Sequence, residues 1–253
     1  HRFAQENLID VFAGRLAAES MDVDTLEELA PLLKSNCETI RMLPIWVALF
    51  IRTIGSKMTE TLKDALLNDK DKDIRGMAAI VLRYSKEKAF RETLKQALRK
   101  EVRWEVKRRI ALTLGADKSE ESIELLGELL LNDYSWQVRG NAAISLGNIG
   151  DDSCRQFLKQ GLEDSSFFVR YQAAKAILLS FADKEGITAL IKLWSKLDAQ
   201  NPLSQTILEL LQNVTLIGHR NANDFARWWQ RAEKLYEVEP FVKAYKEISE
   251  VER

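Results

Sequence analysis

Few residues in this 253-residue chain are of types and spacings that could do chemistry. It has two histidines, His1 and His219, and two cysteines, Cys37 and Cys154. Their separations fit no zinc-ligand pattern, and two distant cysteines do not define a disulfide framework. His219 stands near Asn221 and Asp224 in a turn-like stretch, where a surface imidazole is expected. Adjacent carboxylates such as Glu120 and Glu121 suit a solvated helix face, because a general acid and base must share a pocket. The chain contains no Gly-rich phosphate loop, Walker pattern or nucleophile elbow. The run Arg99–Arg109 mixes cations with Trp104, as nucleic-acid sites do, but Glu101 and Glu105 interrupt it. A formal net charge of −1 also argues against a phosphate-reading surface. No catalytic residue, metal or cofactor is therefore assigned, and nucleic acid is not the expected partner.

The elements that would position any site are helices. Hydrophobic residues make up 46% of the chain and charged residues 30%, enough to build a core. Only 11 Gly and 4 Pro punctuate it, too few for the turns of an all-β protein. No run of 18 apolar residues offers a membrane span, and no leader pattern is visible. The chain opens His1-Arg2-Phe3 without Met, which reads as a start removed from a longer chain and leaves a cleaved signal open. A cytoplasmic location is the expectation.

An internal repeat organises the chain. Four segments align without gaps: DKDKDIRGMAAIVL from Asp69, EVRWEVKRRIALTL from Glu101, DYSWQVRGNAAISL from Asp133 and DSSFFVRYQAAKAI from Asp164. Their basic residues are Arg75, Lys107, Arg139 and Arg170, spaced 32, 32 and 31 residues apart. Six residues before each stands an acid, namely Asp69, Glu101, Asp133 and Asp164. One residue before each stands Ile74, Val106, Val138 or Val169. Counted from the basic residue, positions −1, +3, +4 and +7 are small or aliphatic and form one stripe of a 3.6-residue helix. Asp71, Ser135 and Ser166 fall where an N-cap belongs, and Gly115 and Gly147 where a helix would stop. An amphipathic helix such as 121–132 precedes each segment, so each unit is a hairpin of helix A then helix B. A hairpin of this size cannot bury its apolar faces alone and must stack on its neighbours.

This pattern of acid, Val-Arg pair and Ala-Ala pair resembles HEAT repeats of the short bacterial type first associated with phycobilin lyases. The resemblance is strongest over 59–182. It implies an all-α, right-handed solenoid in which the acid and the basic residue of the repeats form a structural ladder and the B helices line the concave side. On this reading 1–20 form an N-terminal capping helix, 22–216 about six hairpins and 219–253 C-terminal capping helices of a single solenoid. The first hairpin is placed at 25–35 and 44–54, with Pro44 opening its second helix. The last, at 186–197 and 203–216, lacks the Val-Arg signature. The stretch LQNVTLIGHRNANDFARWWQRAEKLYE resembles a segment that closes many bacterial HEAT arrays. Phe225, Trp228 and Trp229 would there cover the apolar end of the last hairpin, with a ligand-binding aromatic cage as the alternative.

With the stripe turned inward, positions +1, +2, +5 and +9 face the other way at 100° per residue. They include Met77, Ile80, Tyr84, Arg108, Arg109, Leu112, Ile144, Tyr171 and Lys175, with Gly76 and Gly140 leaving the floor open beside them. A shallow mixed groove for an extended peptide or helix of acidic character is expected, unless adjacent B helices bury these aliphatics between themselves. Trp104, Trp136 and Phe167 share position −3, either as an aromatic ladder for a partner or as a staple onto the preceding A helix. Two functions stand at this point. One is a non-catalytic scaffold or adaptor for a protein or peptide. The other is a HEAT-like enzyme or lyase subunit acting on a nucleobase or tetrapyrrole in the groove. Fold resemblance does not choose between them.

Overall fold

A computed structural model of the chain describes residues 22–86 and 90–251. The capping helix expected over 1–20 lies outside them. The described residues fall into two compact units that meet in sequence between Leu114 and Gly115.

The first unit holds α1 (Val23–Leu29), a 3-10 turn (Ala30–Lys34) and α2 (Glu38–Ile51), then α3 (Ser56–Asn68) with α4 (Lys72–Leu82) and α5 (Phe90–Lys100) with α6 (Trp104–Leu114). The second holds α7 (Glu120–Asn132) with α8 (Trp136–Ile149), α9 (Cys154–Gly161) with α10 (Phe167–Phe181) and α11 (Lys184–Trp194) with α12 (Pro202–Thr215). It closes with α13 (Ala222–Ala232) and α14 (Glu239–Val251). Among the described residues there is no strand, only an isolated bridge between Ile54 and Ser85. No described helix is long and apolar enough to cross a membrane.

The repeat stripe is buried wherever it occurs. Ile74, Ala78, Ala79 and Leu82 on α4 are inaccessible, as are Val106, Ile110, Ala111 and Leu114 on α6. Val138, Ala142, Ala143 and Leu146 on α8 repeat this, and Val169, Ala173, Ala174 and Ile177 on α10 follow. Ala142 and Ala143 let α8 lie close to α10, as Ala78 and Ala79 do for α4 and α6 in the first unit. Two hydroxyls that cross between B helices find carbonyl acceptors: Thr113 Oγ1 donates to the Ala79 carbonyl at 2.9 Å and Ser180 Oγ to the Gly147 carbonyl at 2.7 Å.

Several local expectations change. α2 begins at Glu38, so Pro44 lies inside it rather than opening it. Arg41 is thereby brought into the helix, and its side chain is buried. Gly147 does not end α8. It sits inside the helix, where an added Cβ would come within 2.7 Å of Ala176 Cβ, and Gly150 at φ +66° makes the C-cap. Asp71 caps α4 by accepting from the Asp73 and Ile74 N–H groups, whereas the side chains of Ser135 and Ser166 make no capping bond. Cys37 and Cys154 are not bridged to each other, and burial pushes the Cys154 thiol up.

Candidate functional site

The turns before α4 and α8 are each held by one arginine and two acids. Arg75 Nη1 donates to the carbonyl of Asp69 in its own turn at 2.9 Å. Its Nε and Nη2 reach the Glu101 carboxylate of the following hairpin at 2.7 and 3.2 Å. Arg139 repeats this, with the Asp133 carbonyl at 2.8 Å and the Asp164 carboxylate at 2.6 and 3.0 Å. Each acid also accepts the N–H two residues on: Arg103 for Glu101, Ser135 for Asp133 and Ser166 for Asp164. The two-pronged fork is the strong form of arginine–carboxylate bond. Burial by itself would raise the Glu101 carboxyl. The Arg75 guanidinium and the Val102 and Arg103 N–H groups outweigh it and hold the acid below its ordinary 4.5. Hydrogen bonds to Glu101 and Asp164 hold Arg75 and Arg139 above the usual guanidinium value.

The sign of the linkage follows. A carboxyl whose folded value is depressed contributes stability above its unfolded value, and loses it as pH falls through the folded one. The melting-temperature gap between wild type and Glu101→Gln should therefore narrow from about pH 6 to about pH 3. A gap constant over that range would show that the rung does not depend on the carboxylate's charge.

A rung the sequence reading missed lies in the first hairpin. Arg41 Nη1 donates to the Ser35 carbonyl at 3.0 Å and Nη2 to Asp69 at 3.2 Å. Its Nε lies 2.8 Å from Asp69 Oδ2, close enough to pair in charge but not aligned for a hydrogen bond. Ser35 takes the place of the acid and accepts the Cys37 N–H through its hydroxyl at 3.2 Å. The signal was present as Ile40-Arg41 with Ile45 and Ala48 at +4 and +7, but a serine six residues upstream and Pro44 at +3 hid it. In the last hairpin Ser204 replaces the arginine, its Oγ donating to the Asp198 carbonyl at 2.8 Å.

The residues expected on the outer face of the B helices do not stay together. Tyr171 is 5% exposed, within the core that also holds Leu178, Val214 and Val242. Burial first, then the nearby Tyr245 and Glu209, push its phenol up to about 12. It is not a surface residue, because position +1 lies on the flank where the next B helix packs. The glycines at +1 obey the same geometry. An added Cβ on Gly76 would strike the Arg109 side chain at 2.6 Å, and one on Gly140 the Phe168 ring at 2.4 Å. The floor beside them is filled, not open. Arg109 binds Asp73 at 3.0 Å and so ties α6 to α4. Arg108 lies beside the Trp104 ring, 5.9 Å from its centroid. Tyr84 falls two residues past the end of α4, where a helical position no longer applies. Met77, Ile80 and Leu112 are half-buried in the first unit, and Ile144 and Lys175 in the second. At position −3, Trp136 and Phe167 are partly exposed, and Trp136 meets Phe168 of α10 edge-on at 5.3 Å.

In the second unit Ile144 and Lys175 line a groove of about 790 Å³. Asn148, Gln172 and Leu179 complete its B-helix walls, and Tyr245 and Lys246 of α14 form the side no repeat register could have placed. Its lining combines aliphatic side chains, amides and two lysines.

At the C-terminal end Phe225 is fully buried and Trp229 nearly so, against Leu190, Leu193, Trp194 and Leu211. Trp194 and Trp228 approach the Phe225 ring edge-on at 6.0 and 5.8 Å. Trp229 Nε1 donates to Thr188 Oγ1 at 2.8 Å, and the Tyr236 hydroxyl to the Val214 carbonyl at 2.9 Å. Each polar handle of these aromatics is thus satisfied inside the packing.

Stacked helix pairs joined by an arginine–carboxylate ladder define a helical-repeat protein. The family described as HEAT repeats matches residues 59–134 and 123–207, together more than half of the chain. The chain belongs to the HEAT-repeat family, and its fold is all-α and solenoid-like. Among curated proteins none matches. Sixteen solved chains match. One is the crystal structure of an engineered protein from the Northeast Structural Genomics Consortium, 17% identical with a TM-score of 0.43, the match covering 88% of this chain and 98% of that one.

Proposed function

We propose that this protein is a non-catalytic scaffold or adaptor, and that the groove between α8, α10 and α14 takes an extended or helical segment of a partner protein. HEAT repeats are helical scaffolds that typically mediate protein interactions. The observation that carries the reading here is the composition of the groove. Ile144, Ala176 and Leu179 offer apolar contact, and Asn148 and Gln172 offer amide hydrogen bonds. The preferred segment therefore presents apolar anchors beside groups that pair with side-chain amides.

The test is the paired substitution Ile144→Glu with Lys175→Glu. Both residues are half-buried rather than core, so the helical content and melting temperature should change little. Partners captured by the wild-type protein from its source lysate, and mapped to the groove by cross-linking at Tyr245, should be lost at least about tenfold, equivalent to ~1.4 kcal/mol. Equal capture by the folded variant would move the binding face elsewhere.

A further inference from the structure

The ladder has an arginine without its rung. Arg170 Nη1 donates to the carbonyls of Asp164 and Ser165, the latter at 3.2 Å, as Arg75 and Arg139 do in their own turns. Its guanidinium also lies over the Phe167 ring, 4.4 Å from the centroid. The side chain is thus held in the ladder pose. In its sister residues Nε and Nη2 then grip a carboxylate of the next hairpin. For Arg170 these two groups make no hydrogen bond among the described residues.

The cause lies in the following turn. Asp69 and Glu101 directly follow α3 and α5, and Asp164, which Arg139 grips, stands three residues after α9. After α11, which ends at Trp194, the corresponding acid is Asp198, four residues on. Asp198 is exposed and keeps only the local role, accepting the Gln200 N–H at 3.3 Å. Where the rung would sit there is a pocket of about 180 Å³ lined by Arg170, Lys192, Lys196 and the aliphatic walls of Leu162, Ala189 and Leu193. Its two acids have other engagements. Glu163 lies 3.5 Å from Lys192, and Glu185 pairs with Lys159 at 2.5 Å.

We propose that this pocket is a carboxylate-binding site that takes a glutamate or aspartate side chain of a bound polypeptide as the missing rung. The neighbouring repeats show what this arginine fork binds, and in both the ligand is an amino-acid carboxylate. The volume suits one side-chain headgroup. Leu162, Ala189 and Leu193 suit its methylenes, and Lys196 adds charge at the rim, where Lys192 faces Glu163. The site lies apart from the groove of α8, α10 and α14, and does not depend on that groove being occupied.

The probe is acetyl-tetraglutamate amide, titrated at low salt into the full chain while the Arg Nε–H resonances are followed by NMR. Low ionic strength is needed because rim charges are screened over about 10 Å at 0.1 M salt. The Arg170 Nε–H signal should shift saturably, while those of Arg75 and Arg139, already engaged, should not. The double variant Lys192→Gln with Lys196→Gln alters only exposed side chains and should bind at least about fivefold more weakly, equivalent to ~1 kcal/mol. Arg170→Gln should abolish the response, its fold checked by the unchanged Arg75 and Arg139 signals. Inorganic phosphate at equal charge should give a weaker response. No shift of Arg170, equal binding by the lysine variant, or a phosphate response exceeding the peptide's would each overturn the proposal.

Discussion

Replacing Phe225 by Ala should lower stability by about 3–5 kcal/mol, the range for emptying a well-packed aromatic site. For a unit of this size that corresponds to a melting temperature lower by roughly 10 °C. The ring is completely buried and packs against Trp194 of α11 and Trp228 of its own helix. Truncation after Gly218 should do more. It removes Phe225, Trp229, Val238 and Val242 together, baring Leu190, Leu193 and Leu211. A terminal repeat left with an open apolar face associates, so the truncated chain should aggregate in size-exclusion chromatography. A monomeric truncated chain melting like wild type would show that α13 and α14 are not a cap, and would favour a ligand role for the Trp pair.

Arg139→Ala should cost about 3 kcal/mol. Removing one partner of a mostly buried pair strands the other charge. Here that charge is Asp164, whose side chain is 10% exposed. The same substitution also frees the carbonyls of Asp133 and Tyr134. The double variant Arg139→Ala with Asp164→Ala measures the coupling. It should be less destabilised than the sum of the two single variants by at least ~1 kcal/mol. Additive losses would mean that the two residues act only in their separate turns. Urea midpoints for the four chains decide between these outcomes, provided the denaturant slope stays constant.

What the sequence determined by itself was local. The 3.6-residue stripe and the repeat register depend on neighbours within one hairpin, and the stripe is buried at every copy, whereas the acids of the motif reach the arginine of the preceding hairpin. The same local logic could not assign the flanks of the B helices. Tyr171, Gly76 and Gly140 share a helical position that points away from the hairpin's own interior, yet each is covered by a side chain from another helix. The periodicity of one helix says which side faces its hairpin partner, not where the next hairpin comes to rest. The rung at Arg41 was hidden for a related reason, since Ser35 and Pro44 break the motif in sequence while the backbone keeps the geometry. Only the tertiary structure brought Tyr245 and Lys246 to the groove, because α14 lies outside the repeat. Only the tertiary structure, too, showed that the Arg170 fork grips no carboxylate among the described residues. The sequence supplies an acid downstream at Asp198, but the turn after α11 leaves it exposed, its carboxylate accepting the Gln200 N–H instead of the fork.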